Sequence, residues 1–210
     1  RVIPVIERLR QYSDVCISID TWKAEVMQAA VAAGASMIND IKALRGEGAL
    51  ATAAQLEVPI CLMHMQKNPL TMQNNPHYQV NVVDEINTFF LQRIEACLHA
   101  GISRKQLILD PGFGFGKSVH HNLQLLKRLD VFQTHHLPIL LGVSRKSTIG
   151  VVLEKDVGER LSGGIAIAVF AALKKISIIR THDVDETNQA FRMIEAIDAA
   201  DRYNLCGSIG

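Results

Sequence analysis

The sequence predicts an α/β fold of the TIM (β/α)8 barrel type, and three observations carry that reading. Short apolar runs alternate with longer helical stretches along the whole chain. The runs lack period-2 alternation, as expected of parallel strands covered on both faces. Each run is followed by polar, hydrogen-bonding or charged groups.

The six runs span residues 15–19, 36–38, 59–63, 107–109, 137–141 and 176–179. Asp20 and Thr21 follow the first, Asn39 and Asp40 the second, His64 the third and Asp110 the fourth. Ser144, Arg145 and Lys146 follow the fifth, and Arg180, Thr181, His182 and Asp183 the sixth. A βα barrel draws its working groups from the carboxyl ends of many strands. An open doubly wound sheet concentrates them at one switch point. Even use of all six ends favours the barrel. Some of these residues are also natural helix N-caps, Thr21 and Asp183 above all.

The helical stretches fall between the runs. The opening residues 1–12 have apolar groups at near-helical spacing, with Pro4 setting the start. Residues 22–33 end at Gly34, and 80–100, the longest, end at Gly101; glycine is the preferred residue past a helix end. Residues 49–56, 119–129, 159–174 and 183–203 complete the set. Repeated strand–helix units imply right-handed parallel crossovers. The irregular stretch 66–79, with Pro69 and Pro76, is long enough to suggest a functional loop. We read residues 1–210 as one barrel domain with six of eight βα units, the first two strands being expected before Arg1.

Composition narrows the function class. The 210 residues are 48% hydrophobic, with 22 basic and 21 acidic side chains and a net charge of +1. That balance argues against a nucleic-acid partner. The longest apolar run, 163–173, is too short to span a membrane. Cys16, Cys61, Cys97 and Cys206 form no CxxC pair, so reduced cytoplasmic thiols are expected.

The segment DPGFGFGK, residues 110–117, is the most unusual. Its glycines allow positive φ and close backbone approach. It is not a P-loop, because the position of the first glycine holds Pro111. A flexible turn is the plain alternative, but Phe113 and Phe115 need a partner that a flat ring would supply. Asp20, Asn39 and Asp110 suit a heterocycle with a 2-amino-4-oxo edge, such as a pterin or guanine. Asp and Asn ligands for Mg²⁺ are the equal alternative. Ser144, Arg145, Lys146, Arg180 and His182 supply anion capacity, so a phosphorylated substrate is expected. The paired histidines 120–121 and 135–136 diverge on a helix and are poor metal ligands. The small apolar stretch 163–173 packs on the barrel or in a subunit interface.

Six ordered motifs make the chain resemble the bacterial dihydropteroate synthase family: SIDT, IND, LMHMQ, LDPGFGFGK, GVSRKS and RTHDV, between residues 18 and 184. The resemblance implies a cytoplasmic homodimer. It would condense 6-hydroxymethyl-7,8-dihydropterin pyrophosphate with p-aminobenzoate, giving 7,8-dihydropteroate and pyrophosphate, with sulfonamides as inhibitors. It implies that Asp20, Asn39, Met63, Asp110, Gly114, Phe115 and Lys146 hold the pterin. Arg180, Thr181 and His182 would take the pyrophosphate. Phe115, Ser144, Arg145 and Lys146 would border p-aminobenzoate. Asp20, Asp110 and Lys146 would be the catalytic groups. Mg²⁺ is the implied cofactor, with its family ligand in a strand this sequence lacks, so no residue here is assigned to metal. A pterin-binding methyltransferase domain and a non-catalytic pterin-binding paralogue are the alternatives. The first would not need a pyrophosphate clamp, and the second would be marked by loss of Asp110, Lys146 or Arg180, all of which are present.

Overall fold

A computed structural model describes residues 1–66, 71–72 and 75–200. The end of the expected last helix, Cys206 and part of the irregular stretch lie outside the described residues. The strands are β1 (Ser18–Asp20), β2 (Met37–Asp40), β3 (Ile60–Met63), β4 (Leu107–Asp110), β5 (Leu140–Gly142) and β6 (Ile178–Arg180). The helices are α1 (Ile3–Arg10), α2 (Ala24–Ala32), α3 (Ala49–Leu56), α4 (Val82–His99), α5 (Val119–Lys127), α6 (Ser147–Leu153), α7 (Leu161–Leu173) and α8 (Val184–Asp198).

All strand pairs are parallel and follow chain order: β1-β2-β3-β4 form one ladder and β5-β6 another. One isolated bridge, Leu109 with Ile139, joins the two ladders, together with the bond from Leu109 N to Pro138 O at 2.9 Å. The six strands thus form one curved wall with a seam between β4 and β5.

Alternation along each strand sorts side chains to two faces. Ile19, Ile38, Ile60, Leu62, Leu107, Leu109 and Leu141 join the helices in one large core. Cys61, Ile108 and Leu140, with Met37 and Ile178, form a smaller cluster inside the wall. Above it four of the six inward positions are polar: Asp20 pairs in register with Asn39, Met63 with Asp110, and Gly142 with Arg180. Both faces are apolar lower down, which is why the runs show no period of 2 in the sequence.

The helices form for local reasons. Asn81 caps α4 by accepting from Val83 N and Asp84 N at 3.0 Å, and Asp84 and Glu85 oppose the helix dipole in the first turn. Val83, Ile86, Phe90, Ile94 and Cys97 make its buried stripe. Phe90 meets Phe132 edge-on at 5.6 Å. Ser118 caps α5, accepting from His121 N at 3.1 Å, while His121 Nδ1 accepts from Ser118 N at 3.3 Å.

Three expectations need correction. Five of the six strands end one or two residues beyond their apolar runs, so Asp20, Asn39, Asp40, Asp110 and Arg180 lie in the strands rather than after them. Helix α6 was not expected, because Gly150 and four β-branched residues weaken its helical signal. The expected helix over 119–129 stops at Lys127 and passes into a 3-10 stretch, Leu129–His135. Helix α7 buries Ala168 and Ala171 but leaves Phe170 and Leu173 exposed, so its apolar surface faces both ways.

Candidate active site at the carboxyl ends of the strands

Three groups of side chains meet at the carboxyl ends of the strands. The first joins β1, β2 and β6. Asn39 Nδ2 donates to Asp20 Oδ2 at 2.9 Å, and Arg180 Nη1 lies 3.5 Å from the same oxygen. Asn39 is buried, and its Oδ1 has no hydrogen-bond partner among the described residues. A buried acceptor without a donor is costly. A ligand N–H would satisfy it. Gly142, opposite Arg180 in register, leaves room for the guanidinium: a Cβ there would sit 3.1 Å from Nε.

The second group surrounds Asp110 at the end of β4. Its Oδ1 accepts from Gly112 N at 2.7 Å. Burial raises its pKa above the usual carboxylate range, against the lowering pull of Lys146, Gly112 N, Arg180 and Lys117. Met63, fully buried, is its register partner. The glycine loop that follows has positive φ at Gly112, Gly114 and Gly116 (68, 82 and 66°). Lys146 Nζ donates to Phe113 O and lies 4.6 Å from the Phe115 ring centroid. Burial lowers its pKa to about 8.

The third group lies between the β5 and β6 ends. Ser144 Oγ donates to Asp183 Oδ2 at 3.3 Å and accepts from His182 N at 3.3 Å, with His182 Nδ1 at 3.0 Å. Arg145, in the left-handed region (φ 60°), pairs with Asp183 at 2.5 Å, which holds the Asp183 carboxyl below its usual range. Arg145 is therefore tied to Asp183, and its guanidinium is half exposed. Thr181 Oγ1 accepts from Asp183 N at 3.1 Å and from Thr187 Oγ1 at 3.3 Å, so this hydroxyl serves the start of α8. Asp183 holds the N-cap position of α8, but its side chain makes no cap bond. Thr21, the other cap candidate, accepts from Lys23 N at 3.2 Å.

Sequence reasoning passed over Asn122 and gave no role to Lys117, His64 or Asp40. Asn122 of α5 accepts from Gly114 N at 2.8 Å and donates to Thr148 Oγ1 of α6 at 3.0 Å, binding the glycine loop to the segment after Lys146. Its signal was a polar residue on the apolar face shared with Leu125 and Leu126. Lys117 and His64 are buried behind the glycine loop. The cue for Lys117 was a lysine closing a glycine run. His64 offered none beyond its strand-end position. Asp40 is also buried, but its carboxylate accepts from Lys42 N and Leu44 N at 2.7 and 2.8 Å and shapes a turn rather than the site.

Among the described residues, no group of three or more His, Cys, Asp and Glu side chains could hold a metal ion. The donors present do not fit a resident Mg²⁺: Asp20 is engaged by Asn39 and Arg180, and Asp110 lies among cations.

Comparison with known proteins agrees with this geometry. The model of the pterin binding enzyme family matches residues 1–182. The chain is 51% identical over 196 residues to the dihydropteroate synthase of Escherichia coli strain K12, covering 93% of this chain and 69% of that protein. It superposes on the Yersinia pestis dihydropteroate synthase solved with a sulfonamide drug at a TM-score of 0.92 and 48% identity, over 95% of this chain and 73% of that one. On the Xanthomonas albilineans dihydropteroate synthase in complex with 7,8-dihydropteroate the TM-score is 0.89 at 45% identity, over 95% of this chain and 71% of that one. The wall of six strands is thus the greater part of a TIM barrel. With its strand-end residues in place and these relatives at its side, the chain belongs to the pterin-binding enzymes, among the dihydropteroate synthases.

Proposed function

We propose that the carboxyl-end face joins 6-hydroxymethyl-7,8-dihydropterin pyrophosphate to p-aminobenzoate, giving 7,8-dihydropteroate and pyrophosphate. The observation that carries this reading is the opposition of two sets. Asp20, Asn39 and Asp110 present hydrogen-bonding groups, with Asn39 Oδ1 unpartnered among the described residues. Lys146, Arg180 and His182 present cations and donors beside them.

Asp110, Asp20 and Asn39 hold the amino-oxo edge of the pterin, with Met63 and Gly114 lining the pocket. Phe115 and Lys146 cover the ring. Arg180 and His182 receive the pyrophosphate. Thr181 contributes through its place between them, since its hydroxyl is engaged at α8. Ser144 fixes His182, and Arg145 borders the arylamine beside Phe115 and Lys146. The carbon–oxygen bond of the pterin methylene breaks and its electron pair leaves with pyrophosphate. The positive charge left spreads into the electron-rich ring. Asp20 and Asp110 stabilise it electrostatically. The arylamine nitrogen then bonds to the methylene carbon and loses one proton. It needs positioning more than activation.

Magnesium is proposed only as a companion of the pyrophosphate, held by its oxygens rather than by the described side chains. Sulfonamides are proposed to compete at the arylamine position, by analogy with the Yersinia pestis complex. The exposed apolar residues Val152, Leu153, Phe170, Leu173 and Met193 on α6, α7 and α8 suit a homodimer. Among the described residues no helix is long and apolar enough to cross a membrane. A cytoplasmic location is part of the proposal.

The test is pyrophosphate release on mixing the pterin pyrophosphate, p-aminobenzoate and Mg²⁺. It is run on this chain and on a chain extended to the length of its relatives. Release that depends on both organic substrates and is inhibited by a sulfonamide supports the reading. Pterin binding without release from either chain would move it to methyl transfer or to a non-catalytic paralogue.

A further inference from the structure

Behind the glycine loop lies a buried cation that the proposed chemistry does not use. Lys117 is 3% exposed. Its Nζ lies 2.9 Å from Gly112 O, 3.0 Å from Phe115 O and 3.0 Å from His64 Nδ1. An ammonium has three donors and no acceptor. The two carbonyls and the imidazole lone pair match those donors, which places the His64 proton on Nε2.

The contacts enclose the loop from one side. Gly112 O also accepts from Phe115 N at 3.0 Å, so Lys117 ties off both ends of that turn. Gly112 N points the other way, to Asp110 Oδ1. His64 N donates to Asp110 O at 2.9 Å. The carbonyl between the two, Phe113 O, faces Lys146 on the opposite side. Glycines with positive φ at every second position reverse successive peptides, so one short loop offers carbonyls to two lysines. Phe115 is thereby held beside Lys146, and the Asp110 carboxylate is held by the N–H of Gly112, the residue whose carbonyl oxygen Lys117 binds.

We propose that Lys117, with His64, is a positioning residue that fixes Asp110 and Phe115 for the pterin and the arylamine. It touches neither ligand. The inference rests on the proposed synthase reading. It also accounts for a buried lysine and histidine side by side. Burial and the neighbouring lysine hold His64 well below its ordinary range, so the imidazole stays neutral and free to accept. Burial brings Lys117 to about 7. When Lys117 loses its proton, its two remaining N–H groups still reach Gly112 O and Phe115 O. The His64 proton can move to Nδ1 and donate to the amine. The clamp keeps its shape in both protonation states. Asp110, Lys146 and Arg45 are the other charged groups that act on this pair.

The experiment compares wild type with Lys117→Met, Lys117→Arg, His64→Gln and His64→Leu. It measures kcat and KM for both substrates from pH 6 to 9, dihydropterin affinity by calorimetry, and Tm. We expect Lys117→Met to lower kcat/KM for p-aminobenzoate at least tenfold and to weaken dihydropterin binding several-fold. Lys117→Arg should fail to restore either value, because a planar fork cannot reach the three acceptors. His64→Gln, which keeps an acceptor, should retain more activity than His64→Leu at equal Tm. Should Lys117→Met not fold, the two His64 variants decide alone. A fall in Tm with kcat/KM and dihydropterin affinity within twofold of wild type would overturn the proposal and leave Lys117 a purely structural residue. Equal activity of the two His64 variants would do the same. Absence of turnover in the wild-type chain extended to the length of its relatives would refute the synthase reading instead, and dihydropterin affinity would then judge the clamp by itself.

Discussion

Asp20 and Arg180 stand 160 residues apart in the chain, yet the carboxylate Oδ2 and guanidinium Nη1 are 3.5 Å apart across the mouth of the strand wall. Both side chains are about half exposed. A pair so exposed contributes under about 1 kcal/mol to stability. Its value lies in orientation, because the same Oδ2 receives Asn39 Nδ2 at 2.9 Å. Asp20→Ala is expected to lower kcat/KM on the order of a hundredfold, about 3 kcal/mol of transition-state stabilisation. Tm should hardly move. Turnover within a few-fold of wild type would remove Asp20 from the proposed catalytic groups.

Lys146 should make activity and stability move in opposite directions with pH. Its folded-state pKa is about 8, below the ordinary 10.5 of lysine. As pH rises through about 8 the ammonium is lost, and with it the charge facing Phe115. The alkaline limb of kcat/KM is therefore expected to fall about tenfold per pH unit. Stability behaves otherwise. Between about 8 and 10.5 the unfolded chain holds the proton that the folded chain has released. Stability then rises with pH. Lys146→Ala should lose both the activity and its share of this rise, read from urea midpoints at pH 7.5 and 10.

Gly112 carries a steric prediction. Its φ is +68°, and a Cβ would come within 1.8 Å of the His64 carbonyl oxygen, which is backbone and cannot step aside. Gly112→Ala is expected to destabilise by about 3 kcal/mol, from left-handed strain together with overpacking. Gly101 supplies the control. Its φ is +87°, but a Cβ there meets nothing within 4 Å. Gly101→Ala should cost only the strain, about 1 kcal/mol. Equal effects in denaturant titration would show that φ alone governs both sites.

Asn122 bridges two loops through Gly114 N and Thr148 Oγ1, at 2.8 and 3.0 Å, and is almost wholly buried. Asn122→Ala removes the hydrogen bonds to Gly114 N and Thr148 Oγ1, at a cost of about 2 kcal/mol. A double-mutant cycle with Thr148→Val should show coupling near 1 kcal/mol. Strict additivity would mean that the two side chains act independently.

The strand-end residues were legible because the barrel places polar groups where apolar runs stop, and a run is easy to see. Asp20, Asn39, Asp110, Arg180 and His182 all followed from that one rule. The boundaries were less legible. The last inward residue of four strands is polar, Asp20, Asn39, Asp110 and Arg180, so there the apolar run ends before the strand does. Helix α6 escaped because Ser147, Thr148, Gly150 and two valines give no helical signal of their own; its place is set by packing of Ile149 and by the loop before it. Asn122, Lys117 and His64 were hidden for a different reason. Their partners are backbone groups and side chains from other elements, and a sequence does not show which carbonyls will point where. The roles of Arg145 and Thr181 also depend on Asp183 and Thr187, which bind them from α8.

The seam between β4 and β5 divides the working residues into two plates. Asp20, Asn39, Met63 and Asp110 ride on the four-stranded ladder; Lys146, Arg180 and His182 ride on or beside the two-stranded one. Besides the Leu109–Ile139 bridge and the Leu109–Pro138 bond, polar links across the divide include Lys146 to Phe113, Asn122 to Thr148 and Arg180 to Asp20. A pterin pyrophosphate gripped at its ring by one plate and at its phosphates by the other would act as a staple. At a hundred times its dissociation constant such a ligand adds about 2.7 kcal/mol to the stability of the fold. Amide exchange of β5 and β6 should then slow far more on ligand binding than that of β2 and β3. The substrate would be, while it is bound, one of the fastenings of the barrel.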